Sequence, residues 1–343
     1  MDTQIITNPS DQELDMLASA LRNGELVSIP TETVYGLGAN GLDPEAMDKI
    51  YAAKGRPSDN PLILHVPNSE SIKPLVTEVS KTAQLLMDTF WPGPLTITLP
   101  KSDLVPDRAT GGLPRVALRC PDHKVCRALL ERAGVPIAAP SANISGRPSP
   151  TTAQDVYHDM KGRISYILDA GPCTIGVEST VVEVHDDKVI ILRPGGITKA
   201  QLETVVSTVE YDTALVNATT KPKAPGMKYT HYAPDAPMTV VVGNPEVIAS
   251  TFKELSEGKE GPIGCLVSHE TYDLIKDDTR FMYHCFGHHG DALALGHDFY
   301  KSLLHFNENH VTLILAEGVN DDGFGVAIMN RMEKASGHHI IYK

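Results

Sequence analysis

Short apolar runs of strand length alternate with amphipathic stretches that carry helix caps along nearly the whole chain, and this alternation restricts the fold more than any other feature. Ser10 and Glu13 have the spacing of a capping box ahead of the row Leu14, Leu17, Ala18 and Leu21, which Gly24 closes. A strand is expected at Leu26 to Ile29, followed by the loop PTETVYGLGANG and a helix that opens at Asp43-Pro44 and ends at Gly55. Further strands are expected at PLILHV near His65, Leu95 to Leu99, Arg115 to Arg119, Pro136 to Ala139 and Ile164 to Leu168. Helices are expected from Thr77 to Phe90, from Asp122 to Ala133 and from Thr152 onward. Thr180 to Val184 and Val189 to Arg193 read as a hairpin across His185-Asp186-Asp187-Lys188.

At 343 residues the chain exceeds one ordinary core. The pattern weakens from about Ser207 to Pro237, where KPKAPG marks a linker. A second alternating unit follows, with strands at Thr239 to Val242, Ile263 to Val267 and Val311 to Leu315, and helices at Pro245 to Leu255, Asp291 to Asn307 and Phe324 to Ala335. Leu295, Phe299, Leu303 and Phe306 form the core stripe of the middle helix. The expected class is α/β: an open mixed sheet with flanking helices over residues 1–206, a linker over 207–237, and a smaller Rossmann-like domain over 238–343.

A net charge of −13 argues against a uniformly basic nucleic-acid binder, although basic residues outnumber acidic ones between Lys101 and Arg132. No apolar run is long enough to span a bilayer and the N-terminus lacks a signal pattern, so a cytoplasmic protein with no membrane partner is expected. Five scattered cysteines without a C-x-x-C pair suit reduced thiols. Nine histidines crowd the last quarter, from His269 to His339, but no spacing completes a tetrahedral set, and no structural metal is expected.

The stretch KGRPSDNP sets two cations, Lys54 and Arg56, between a helix and a strand. Lys54 continues the row Met47, Ile50 and Tyr51, so it leaves the helix on the buried side and needs an anionic partner; an ordinary ion pair is the bland alternative. GLGANG matches the dinucleotide fingerprint literally, but Asp43 at the following N-cap would repel a pyrophosphate. There is neither a P-loop nor a G-x-S-x-G elbow. The loop PSANISGRP concentrates hydroxyl and amide groups suited to phosphate or magnesium, while GVEST and LRPGG add a small-residue loop and another cation at strand ends. Each is ordinary alone; together they describe a polyanion site without a strong general base.

PTETVYGLG, KGRPSDNPLILH, WPGPLT, PSANISG, GVEST and LRPGG occur in the order found in the YrdC-like family of threonylcarbamoyl-adenylate synthases, and PGMKYTHYAP with the C-terminal unit resembles the long, two-domain form. The resemblance implies a YrdC-like twisted open sheet and a reaction in which L-threonine, bicarbonate and ATP give threonylcarbamoyl-AMP and pyrophosphate. It further implies a transferase of the nucleotidyltransferase class that acts first in tRNA threonylcarbamoyladenosine formation, before separate tRNA threonylcarbamoyl transferase proteins. By motif, Lys54, Arg56, Ser141 and Asn143 are its catalytic positions. Arg56, Asn60, Ser141, Ser149, Arg193 and Tyr232 resemble ATP-binding positions, and Thr33, His65, Arg119 and Ser179 the threonine pocket. Magnesium is expected to arrive with ATP, with Asn143 the one side chain expected near it, and no organic cofactor is implied. The linker from Pro225 to Pro234, with Lys228, Tyr229, His231 and Tyr232, reads as a lid over a nucleotide. The two rival readings are a non-catalytic RNA-binding translation accessory using the patch from Lys101 to Arg132, and a carbamoyl-adenylate enzyme of hydrogenase maturation.

Overall fold

The helix caps read from the sequence set the frame of the first sheet. Ser10 and Glu13 exchange side-chain and backbone hydrogen bonds as a capping box, and the helix Asp11–Arg22 buries Leu14, Leu17, Ala18 and Leu21. Asp43 caps the helix Pro44–Lys54, and Gly55 ends it at a φ of 63°, a left-handed conformation that glycine adopts without strain. Thr152 and Asp155 form a second box for the helix Ala153–Met160.

The structure is a computed structural model that describes residues 2–215 and 231–343. Their Cα positions gather into two compact units. In the first, eleven strands form one sheet: β1 (Gln4–Thr7), β2 (Val27–Ile29), β3 (Gly36–Asn40), β4 (Ile63–His65), β5 (Leu95–Pro100), β6 (Arg115–Arg119), β7 (Ile137–Ala138), β8 (Tyr166–Asp169), β9 (Thr180–Val184), β10 (Val189–Arg193) and β11 (Val209–Tyr211). Their order across the sheet is β1-β8-β2-β3-β7-β4-β6-β5-β9-β10-β11. Parallel pairs such as β4 with β6 occur beside antiparallel ones such as β5 with β6, so the sheet is mixed as expected. One apolar cluster includes Leu37, Met47, Ile50, Leu64 and Leu118; another joins Leu17 and Leu21 to Leu129 and Leu130 of the helix Lys124–Ala133.

The GLGAN stretch, expected as a loop, is β3. It pairs antiparallel with β2, Val27 opposite Gly38. A Cβ on Gly38 would lie 2.9 Å from the Val27 carbonyl oxygen and 3.0 Å from Ile137 Cγ2. These glycines therefore serve close strand packing instead of a phosphate turn, which removes the dinucleotide reading. Gly38→Val is expected to cost about 1–3 kcal/mol of stability by overpacking, measured by denaturant unfolding. The helix expected from Thr77 begins at Lys81, because the Ser80 hydroxyl takes the Ala83 amide and Ser69–Leu75 form a separate 3₁₀ turn.

Part of the expected linker, Val209–Tyr211, continues the sheet as β11, parallel to β10. Residues 216–230, which include KPKAPG, Lys228 and Tyr229, lie outside the described residues.

The second unit holds a five-stranded parallel sheet of β12 (Met238–Val242), β13 (Ile263–Val267), β14 (Phe281–Cys285), β15 (Leu313–Glu317) and β16 (Ile340–Tyr342), in the order β14-β13-β15-β12-β16. Helices intervene between successive strands, as parallel connections require. The core stripe Leu295, Phe299, Leu303 and Phe306 is buried on the helix Ala292–Glu308. The helix His269–Ile275 and β14 were not anticipated, because histidines interrupt the apolar pattern there. Several of those histidines meet carboxylates: His284 with Asp298 at 3.0 Å, His288 with Glu270 at 2.9 Å and His289 with Glu317 at 2.7 Å. Among the described residues, no helix is long and apolar enough to cross a membrane.

Candidate active site

Lys54 is the last residue of its helix and 2 % exposed. Its ammonium donates to the Ser141 carbonyl at 2.5 Å and to the Asn143 carbonyl at 2.6 Å. In return, the Ser145 amide donates to the Lys54 carbonyl at 2.8 Å, so the PSANIS loop wraps around this one residue. Further backbone bonds hold the loop against the start of β3, from the Leu37 amide to Pro140 at 2.7 Å and from the Ala142 amide to Tyr35 at 2.9 Å. Asp159 supports it from the helix behind, accepting from the Ile144 amide at 3.0 Å.

Burial, and then the nearby charge of Arg56, push the Lys54 ammonium well below its ordinary range, while Asp159 opposes the shift. Arg56 reaches across the turn to donate to the Pro61 carbonyl at 3.2 Å. Two neighbouring cations that oppose each other's charge form a site whose electrostatics improve when an anion enters. Asn60, buried on the same turn, accepts at its carbonyl from the Tyr51 hydroxyl at 3.3 Å.

A second group of polar residues gathers along neighbouring strand ends. His65 closes β4 directly opposite Arg119, which closes β6. Arg119 is 4 % exposed and donates to the Thr33 hydroxyl at 2.8 Å and the Gly93 carbonyl at 3.3 Å. On the next strands the Thr96 and Ser179 hydroxyls meet at 2.7 Å. Arg193 grips Ser179 through Nε to the carbonyl at 3.1 Å and through Nη2 to the carbonyl and hydroxyl at 3.0 and 3.2 Å. Gly195 makes that approach possible, since a Cβ there would fall 2.4 Å from the Glu178 carbonyl oxygen. The motifs GVEST and LRPGG are therefore one construction.

Burial and the adjacent Arg119 lower the His65 pKa to about 3, which keeps the ring neutral. The free imidazole of an unfolded chain binds a proton below about 6.5, so the folded state should lose stability as pH falls from 6.5 toward 3, at about 1.4 kcal/mol per pH unit from this group. His65→Gln should flatten that part of the acid-unfolding curve, and an unchanged slope in urea titrations would count against the buried neutral ring.

Ser149 is buried and its hydroxyl donates to Glu178 at 2.6 Å. Tyr232 belongs to the second unit, 6 % exposed and with a φ of 64°, its ring 5.2 Å from that of Tyr300 and 6.0 Å from the Arg331 guanidinium. Glu32 went unassigned in the sequence reading; it is a carboxylate 6 % exposed and forms an ion pair with Arg119 at 2.7 Å. Its only sequence signal is an acid between two threonines after an apolar strand. The basic stretch expected as a patch spends much of its charge internally: Arg108 pairs with Asp48, Arg132 with Asp11 and Asp15, and Lys101 with Asp107, while Arg115 donates to the Thr98 and Val184 carbonyls. Burial raises the thiol pKa values of Cys126, Cys173 and Cys265, which leaves them poor nucleophiles.

Residues 19–195 match the family model Sua5/YciO/YrdC, described as telomere recombination, and residues 197–337 match the model described as threonylcarbamoyl-AMP synthase, C-terminal domain. The chain is 46 % identical over 333 residues to the threonylcarbamoyl-AMP synthase of Bacillus subtilis, covering 97 % of this chain and 95 % of that one. It is 44 % identical over 336 residues to that of Pyrococcus abyssi, covering 96 % and 95 %. Its structure resembles the crystal structure of P. abyssi Sua5 complexed with L-threonine at a TM-score of 0.90, with 41 % identity and all of both chains covered.

Proposed function

The chain belongs to the Sua5/YciO/YrdC family with a Sua5-type C-terminal domain, and from that premise we propose that it is a threonylcarbamoyl-AMP synthase. It joins L-threonine, bicarbonate and ATP into L-threonylcarbamoyl-AMP, releasing pyrophosphate and water, and is in this reading a nucleotidyltransferase. The observation that carries the assignment is the buried Lys54 ammonium held by the Ser141 and Asn143 carbonyls beside Arg56.

The threonine amine attacks the carbon of bicarbonate, and loss of water leaves a carbamate. A carbamate oxygen then attacks the α-phosphorus of ATP, and the bond to the pyrophosphate oxygen breaks. Charge builds on phosphate and carbamate oxygens, so positioning and electrostatic stabilisation supply most of the rate enhancement. Lys54 and Arg56 take that charge, with Ser141 and Asn143 lining the same loop. Asn60, Ser149 and Arg193 serve the nucleotide; Thr33, His65, Arg119 and Ser179 serve threonine, the Arg119 guanidinium matching its carboxylate. The hydroxyl of Ser141 and the amide of Asn143 are hard but neutral oxygen donors, which suit a magnesium ion carried in on the triphosphate better than one held by the protein alone. That ion would neutralise phosphate charge. The product is the threonylcarbamoyl donor for tRNA modification by other proteins.

Nucleotide phosphates close to Lys54 should restore its pKa toward the ordinary value. ATP binding is therefore expected to take up a proton at pH values between the lowered and the restored Lys54 pKa, while Lys54→Met abolishes the uptake. Calorimetry in buffers of different ionisation enthalpy measures it; equal uptake in the variant would remove Lys54 from the phosphate site. The activity itself is tested by pyrophosphate release with each substrate omitted in turn.

A further inference from the structure

The Glu32–Arg119 pair is more buried than a surface bridge and less completely bonded than a structural one. Glu32 Oε1 stands 2.7 Å from Arg119 Nη2, with both side chains almost wholly enclosed. Yet among the described residues neither Glu32 oxygen nor Arg119 Nη2 has a hydrogen-bond partner of proper angle. The remaining Arg119 nitrogens are spent on Thr33 and Gly93. A buried pair kept only for stability is expected to satisfy its donors and acceptors fully, because the desolvation cost of two charges is otherwise hard to offset. Here the unspent hydrogen-bonding capacity lies beside Thr33 and opposite His65, in the group of residues read as the threonine pocket.

We propose that Glu32 is a positioning and charge-setting residue for the amino-acid substrate. It fixes the Arg119 guanidinium against Thr33 and cancels its charge, so that the pocket as a whole is neutral and accepts a zwitterion in preference to a simple anion. With Glu32 neutralised, Arg119 becomes a buried cation without its counter-charge, free to turn from Thr33 and open to capture by any small carboxylate. The inference rests on the reading of this site as the threonine pocket.

Steady-state kinetics of wild type, Glu32→Gln and Glu32→Asp test it, varying threonine and ATP separately with and without acetate. The expected result for Glu32→Gln is a KM for threonine raised about tenfold or more, a KM for ATP within about twofold of wild type, and acetate inhibition competitive with threonine and stronger than in wild type. Glu32→Asp, which keeps the charge, should show a smaller rise in the threonine KM and wild-type tolerance of acetate. An unchanged threonine KM, parallel changes in both KM values, or a fall in kcat alone would each overturn the proposal. If Glu32→Gln fails to fold, Glu32→Asp decides, since an unshifted threonine KM in that variant also overturns it. Wild type separates the two levels: absence of threonine-dependent turnover there counts against the reaction, whereas normal wild-type turnover with an unshifted variant counts against Glu32 alone.

Discussion

Lys54→Met should lower threonine- and bicarbonate-dependent pyrophosphate release by about a thousandfold or more, roughly 4 kcal/mol of transition-state stabilisation, without unfolding the protein. The size follows from the position of the ammonium. It is almost fully buried, it has two carbonyl partners from one loop and a second cation as neighbour, and its charge is therefore felt through little screening water. Methionine keeps most of the volume and removes the cost of a buried cation, while the Ser141 and Asn143 carbonyls lose a donor. These changes oppose each other, and the net effect on stability should stay within about 2 kcal/mol. Activity and urea unfolding measured on the same preparation separate the two effects; substantial turnover in a folded variant would deny Lys54 its role.

The largest effect on stability is expected at Arg119. Arg119→Met removes the counter-charge of Glu32 and should cost about 3–5 kcal/mol, the usual penalty for orphaning half of a buried pair. Combining it with Glu32→Gln removes the stranded charge and should recover most of the loss, so the two substitutions will be strongly non-additive. Neither Arg119→Met nor the double variant should bind threonine with wild-type affinity. Additive losses in a double-mutant cycle would show that the two charges are not coupled.

The features of this architecture that were legible in the sequence are local ones. The row Met47, Ile50, Tyr51 and Lys54 placed the lysine on the buried face of its helix before any long-range contact was known, and the Ser10 and Asp43 caps marked the helix starts. The strand β3 was illegible because two of its five residues are glycines, and it is specified by close backbone packing instead of side-chain alternation. Lys54 meets carbonyls 87 and 89 residues away, and Arg119 meets Glu32 and Thr33 across the sheet; no spacing rule reports such pairs. The order of the motifs supplied the grouping, and the fold supplied contacts within each group. Glu32 escaped both, since a single acid between threonines has no period and no partner in its own segment.

The most direct test of the reaction uses the purified protein with ATP, L-threonine and bicarbonate, reading pyrophosphate release while each substrate is withheld. Release that requires all three, with threonylcarbamoyl-AMP appearing in equal amount, is the predicted result. Pyrophosphate release that continues at the full rate without threonine or without bicarbonate would contradict it.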